Sequence, residues 1–96
     1  MVLAQSPKQE WRSVWFSTVW AIDWPRSSHT TESTQKADFD YYFKQFETLR
    51  LNSICFQVRS MCDAMYNSAY EPWCQWLTGT RGGVPTYDPL AYLIEQ

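Results

Sequence analysis

Little in this sequence points to charge-driven binding. Lys and Arg total 8 against 10 Asp and Glu, a net charge of −2 with His29 neutral. No basic run occurs, which argues against a nucleic-acid footprint. Glycine and proline are scarce, 3 and 5 in 96 residues, which excludes collagen-like and linker sequences. No apolar stretch approaches the ~20 residues of a membrane helix, so no membrane span is expected. One histidine, and three cysteines without a C-x₂-C spacing, are too few for a usual zinc set. No metal and no cofactor is therefore expected. A Cys–His nucleophile would need His29 beside a cysteine, and nothing in the sequence puts it there. Gly79, Gly82 and Gly83 surround Arg81, but the Lys-Ser/Thr of a phosphate loop is missing and no helix follows directly. They read as turns. No internal repeat and no low-complexity tract is visible.

What is present is apolar and aromatic. Apolar types make up 45% of the chain and aromatics 18%, with six tryptophans. That mixture is globular, not disordered. At this length the chain is one small domain or part of a larger one.

Both ends suggest a part. Val2-Leu3-Ala4, followed by polar Gln5-Ser6-Pro7-Lys8, reads as the last residues of an export signal or as an ordinary N-terminal tail spanning residues 1–9. At the other end Asp88 is a good N-cap and Pro89 suits the first helical position. Leu90, Leu93 and Ile94 then form an apolar stripe at helical spacing. The chain stops two turns in, with no helix-ending signal. A fragment, truncated in its second helix, is the expectation.

Between these ends strands and helices alternate. Residues 11–19 are rich in β-branched and aromatic types and read as a buried strand. Thr31 is a candidate N-cap, with Glu32 favourable in the first turn. Phe39, Tyr42, Phe43, Phe46 and Leu49 repeat along one face of an amphipathic helix. Residues 53–59 form a second strand, and a long loop over about 60–87 leads to the second helix. This order implies parallel strands with a right-handed crossover. In the second strand Ile54, Phe56 and Val58 face the helices, while Cys55, Gln57 and Arg59 face away. A polar row on that face suits a closed barrel, whose interior becomes polar near the C-terminal strand ends.

Arg12-Ser13-Val14-Trp15-Phe16-Ser17-Thr18-Val19, then Ile22-Asp23-Trp24-Pro25, resemble the opening strand and loop of the glycosyl-hydrolase-like 10 family. Phe56-Gln57-Val58-Arg59 and Cys62-Asp63-Ala64-Met65-Tyr66 resemble its second strand and active-face loop. Tyr70-Glu71-Pro72-Trp73, Leu77-Thr78-Gly79 and Tyr87-Asp88-Pro89-Leu90-Ala91 are similar to the stretch that follows. The blocks stand in order over residues 10–96. The resemblance implies an exported bacterial protein of the periplasm, cell envelope or extracellular space. It also implies a (β/α)₈ catalytic domain acting on glycosidic bonds of a polysaccharide or cell-wall glycan. Such a barrel takes ~250 residues. The chain then supplies the first two β/α units of an incomplete TIM barrel, and its partners are the glycan and the rest of that barrel. By analogy with related barrels, the acid/base and nucleophile carboxylates belong to later strands. Two departures stand out: Arg50 replaces the usual helix-ending Gly, and Ser60-Met61-Cys62 replaces a Pro-Ala-Gly type sequence.

The resemblance marks Arg59, Asp63, Trp24, Trp73 and Gln57 as substrate-binding candidates. Arg59 ends strand 2, where barrel sites are built; it binds sugar hydroxyls, holds a carboxylate, or makes a structural ion pair. Gln57, one layer deeper, fits a satisfied core polar group better than a ligand contact. Asp63 reads as substrate-binding or Arg-pairing, and Glu71 as a loop anchor. Asp23 reads as a turn former and Asp88 as a helix cap. Trp15, Trp20, Trp24, Trp73 and Trp76 invite sugar stacking, with Trp24 and Trp73 in the two active-face loops as the leading choices. Trp11, Trp15 and Phe56 are expected to pack. Cys55 is expected to be a buried thiol. Cys62 and Cys74 share a loop, and free thiols are favoured over a disulfide. A catalytically silent glycan-binding barrel and an independent Trp-rich interaction domain remain as alternatives.

Overall fold

The computed structural model describes residues 9–96. Apart from Gln9, the reading of residues 1–9 as a signal remnant or tail lies outside the described residues.

Five elements follow in order: β1 (Ser13–Phe16), α1 (Glu32–Thr48), β2 (Ser53–Phe56), α2 (Gln75–Thr78) and α3 (Pro89–Glu95). The strands pair in parallel, from Ser13 opposite Ser53 to Phe16 opposite Phe56. The chain is thus α/β, with α1 as the crossover between neighbouring parallel strands. Both strands are shorter than their β-favouring residues suggest. Gln57 still donates to the Phe16 carbonyl at 3.0 Å, but the Val58 carbonyl accepts from Met65 in the following loop. Beyond Phe16 the backbone bends away into a short 3₁₀ turn at Val19–Ala21.

The apolar stripe of α1 covers one face of this sheet. Phe16, Trp24, Phe39, Met65, Cys74 and Leu77 are buried together. Tyr42, Phe43, Phe46, Ile54 and Phe56 pack around them. The Trp24 ring stacks on Phe39 with centroids 4.1 Å apart, and Phe16 meets Tyr42 edge-on at 4.9 Å. Leu49, read as part of the stripe, instead caps the helix and is exposed. Among the described residues nothing covers the other sheet face. Trp15 lies there opposite Cys55 and is 61% exposed, and Trp11 is 76% exposed, so neither is packed by the residues described. Only the helix-facing half of a strand is buried when a sheet is covered on one side. Cys55 is accordingly half-buried, its sulfur 3.4 Å from the Ser13 hydroxyl.

Local sequence explains the element ends. Arg50 adopts the left-handed conformation with φ 57°. It closes α1 with two bonds, Leu51 N–H to the Phe46 carbonyl at 2.9 Å and Arg50 N–H to Glu47 at 3.0 Å. These are the paired bonds of a Schellman ending, normally built on glycine. Asp88 caps α3, its carboxylate accepting from Ala91 N–H at 3.0 Å. The short α2 lies inside the stretch read as loop. Gly79, at φ 88°, ends it by donating to the Gln75 carbonyl at 2.7 Å. Four residues are too few to show a helical period.

Candidate functional site

Parallel strands bring their C-terminal ends to one edge, and in α/β sheets ligands bind beyond that edge. Here it is formed by residues 17–23 after β1 and residues 57–73 after β2. Two side chains fasten β1 to β2, one at each end. At the far end Asn52 accepts from Arg12 N–H at 2.9 Å and donates to the Glu10 carbonyl at 2.8 Å. At the C-terminal edge the Gln57 side-chain oxygen accepts from Thr18 N–H at 2.9 Å, Val19 N–H at 3.0 Å and the Ser17 hydroxyl at 3.1 Å. That oxygen is committed to holding the loop, so contact of Gln57 with a ligand would fall to its amide nitrogen. Asp23 adds a second brace, accepting from Ser17 N–H at 2.8 Å.

Arg59 follows β2 on the same edge. Its side chain is 54% exposed and its guanidinium forms an ion pair with Glu71, whose side chain is 19% exposed. Glu71 also accepts no bond on its Oε2, a buried atom with no partner among the described residues. The Glu71 backbone N–H donates to the Ser68 hydroxyl at 3.2 Å, which fixes this turn. The pair places one anchored, half-exposed cation at the strand ends. A planar guanidinium with several N–H donors suits hydroxyl and carboxylate partners.

Asp63 does not join it. The side chain is 3% exposed, and its Oδ1 accepts from Met61 N–H at 3.1 Å and the Ser60 hydroxyl at 3.3 Å. Its work is to hold the turn over residues 60–63, where Cys62 sits at φ 54°. Asp63, read as substrate-binding or Arg-pairing, is here bonded within its own turn, while Arg59 pairs with Glu71. The arginine that meets this turn is Arg81, which donates to the Cys62 carbonyl at 2.9 Å and to Met61 at 3.2 Å. Behind Asp63 the Cys74 thiol is buried. Burial first, then the neighbouring Asp63 carboxylate, pushes its pKa up to about 12. All three cysteines are free.

Trp24, the other leading stacking candidate beside Trp73, is turned inward. It is 0% exposed, with its indole N–H donating to the Gln35 carbonyl at 3.1 Å. The loop turns back on itself, with Asp23 and Trp24 N–H groups both reaching the Ser17 carbonyl at 3.2 and 3.3 Å. This directs Trp24 inward beneath α1 and leaves no ring face for a sugar. Trp73 is half-buried against the core, and its carbonyl accepts from Gly82 N–H at 2.9 Å.

A further tie had no signal in the sequence. His29 Nδ1 lies 2.7 Å from the carboxylate of the buried Asp38, and Arg26 lies 3.6 Å from its other oxygen. These contacts fix the loop after β1 onto α1. Among the described residues no three His, Cys, Asp or Glu side chains gather as a metal site. None of their helices is long and apolar enough to cross a membrane.

Comparison with known proteins gives this edge its context. The family model described as glycosyl hydrolase-like 10 matches residues 10–96. The chain belongs to the glycosyl hydrolase-like 10 family. Among its relatives, "Glycosyl hydrolase YngK" of Bacillus subtilis (strain 168) is 38% identical over 96 residues, covering 100% of this chain and 19% of that protein. "Glycosyl hydrolase DigH" of Escherichia coli (strain K12) is 31% identical over 100 residues, covering 96% of this chain and 23% of that protein. The chain thus spans about a fifth of the length of these relatives. Every residue of the β1 and β2 edge, from Ser17 to Trp73, lies inside the glycosyl hydrolase-like 10 match.

Proposed function

We propose that the protein carrying residues 1–96 is an exported glycoside hydrolase, and that this segment forms the first two β/α units of its (β/α)₈ barrel. Its substrate is a polysaccharide or cell-wall glycan. Hydrolysis places the oxygen of water on the anomeric carbon and returns a proton to the departing glycosidic oxygen. Two carboxyl groups do this, ~5–5.5 Å apart for retention or ~6.5–9.5 Å apart for inversion. Asp63 and Glu71 are the acidic pair within residues 57–73, the loop after β2. Asp63 is buried in its turn and Glu71 is engaged by Arg59. The reacting carboxyls are therefore assigned to strands beyond this segment.

The observation that carries the reading is the half-exposed Arg59, anchored by Glu71 at the carboxyl edge of a parallel pair within a glycosyl hydrolase-like segment. Arg59 binds sugar hydroxyls or steadies a catalytic carboxylate, and Trp73 borders the same loop. The test is release of new reducing ends from purified cell-wall glycan and from soluble polysaccharides. Cleavage by the wild type, with a KM raised about tenfold in Arg59→Ala, supports the reading. One lost charge-assisted contact is of that size. Binding without cleavage favours the silent glycan-binding barrel instead.

A further inference from the structure

The loop after β1 holds one tryptophan in and another out. Trp24 is fully buried, while Trp20, four residues earlier, is 64% exposed and Ile22 is 66% exposed. The exposed part is also strained. Trp20 has φ 54° and ψ 21°, and Ala21 follows at φ 53°. Two successive non-glycine residues in the left-handed region are uncommon, and a bulky side chain there is an outlier.

The rest of the loop enforces this conformation. Its entry is fixed by Gln57, which accepts from Thr18 and Val19 N–H groups at 2.9 and 3.0 Å. Its exit is fixed by Asp23, bonded through Oδ2 to Ser17 N–H at 2.8 Å. Between them, Ala21 N–H donates to Thr18 and Ile22 N–H to Val19, both at 3.1 Å. Strain that persists in so braced a loop is a pointer to function. An unbraced chain would relax the backbone or bury the indole, since exposing a large apolar side chain gains nothing for folding. Here the indole is held outward, on the sheet edge that also carries Arg59.

We infer that Trp20 is a stacking platform for a pyranose ring, part of the glycan-binding face of this edge. The inference rests on the proposed glycan substrate and names a contact for it. The indole face is apolar and suits the C–H face of a sugar, while the indole N–H can meet a hydroxyl. Arg59 supplies donors for hydroxyls along the same edge. A ring carried on a backbone already braced before binding loses less conformational freedom on contact, which favours affinity.

The test uses Trp20→Gly and Trp20→Tyr in the protein carrying residues 1–96. The probes are soluble chito-oligosaccharides and cello-oligosaccharides, stand-ins for amino-sugar and plain hexose glycans. Binding is read by quenching of tryptophan fluorescence and by calorimetry, and folding by the thermal midpoint. Glycine accepts the left-handed backbone without strain. Trp20→Gly is therefore expected to melt at or above the wild-type midpoint while binding about tenfold more weakly. Trp20→Tyr is expected to keep most of the affinity. The inference is overturned if Trp20→Gly binds like the wild type. It is also overturned if that variant melts well below the wild type, which would mark Trp20 as a packing residue covered by another part of the protein. If the wild type binds neither probe, the glycan reading fails and this inference falls with it. Failure of this inference alone shows only in the variants.

Discussion

The side-chain oxygen of Gln57 lies 2.9 Å from the backbone nitrogen of Thr18, so a residue of β2 sets the path of the loop that leaves β1. The same oxygen accepts from Val19 N–H at 3.0 Å. Replacing Gln57 by Leu would strand both donors in a part-buried site. Leaving a buried donor unsatisfied costs about 1–3 kcal/mol. Gln57→Leu is thus expected to lower unfolding free energy by about 2 kcal/mol, measured from the urea midpoint. Gln57→Glu, which keeps an acceptor, is expected to lose less. Equal stability of Gln57→Leu and wild type would show that the clamp is not what holds the loop.

Trp24 and Trp20 separate packing from binding. Truncating a fully buried tryptophan costs about 3–5 kcal/mol. Trp24→Ala is expected to melt far below wild type, and Trp24→Phe to recover much of the loss. Any variant of Trp24 that remains folded is expected to bind oligosaccharide with unchanged affinity, because its ring meets Phe39 and not solvent. A folded Trp24→Phe with sharply weaker binding would overturn that placement.

Arg50 holds a conformation that suits glycine. Left-handed backbone costs a non-glycine residue about 1 kcal/mol. The bond Arg50 receives from the Arg12 side chain, at 2.6 Å, ends on its backbone carbonyl and survives substitution. Arg50→Gly is expected to raise the unfolding free energy, measured by denaturant titration, by up to about 1 kcal/mol, reduced by the extra freedom of glycine in the unfolded chain. A fall in stability would mean that the arginine side chain contributes more than its backbone costs.

Cys74 makes the fold sensitive to alkali. Its thiol is pushed from 9.0 to about 12, chiefly by burial. The unfolded thiol ionises above about pH 9 while the folded one keeps its proton, so the unfolded state binds fewer protons there. Stability from this group is intact below pH 9 and is lost as pH rises toward 12. Cys74→Ala is expected to flatten that part of the stability–pH curve. Iodoacetamide at neutral pH is expected to label exposed Cys62 first and Cys74 only on unfolding. Equal labelling rates at the two sites would contradict the buried position.

Much of the frame was legible because it follows local rules. Phe39, Tyr42, Phe43 and Phe46 repeat at the helical period and pack on the sheet. Asp88 caps its helix as its position before Pro89 suggests. The alternation in β2 put Ile54 and Phe56 on the helix side. The site was less legible, since it depends on contacts between residues far apart in sequence. Nothing in Ile22-Asp23-Trp24-Pro25 says that two N–H groups turn back to Ser17 and carry Trp24 inward. Nothing in Cys62-Asp63-Ala64 says that Asp63 serves its own turn while Glu71 takes Arg59. Asn52 carried no motif, and Gln57 was read as a satisfied polar group without its partners in the loop after β1. Trp11 and Trp15 looked like core residues by type alone. Trp15 is exposed because the described residues cover its sheet on one face only.

The proposed hydrolysis of glycosidic bonds by the protein carrying these residues would leave a chemical mark on its product. The direct measurement is digestion of cell-wall glycan in water enriched in heavy oxygen, quenched early and read by mass spectrometry. Hydrolysis is expected to give new saccharide ends, each carrying one heavy oxygen at the newly formed reducing terminus. Unsaturated ends without the label, or intact glycan that is bound but never cleaved, would contradict it.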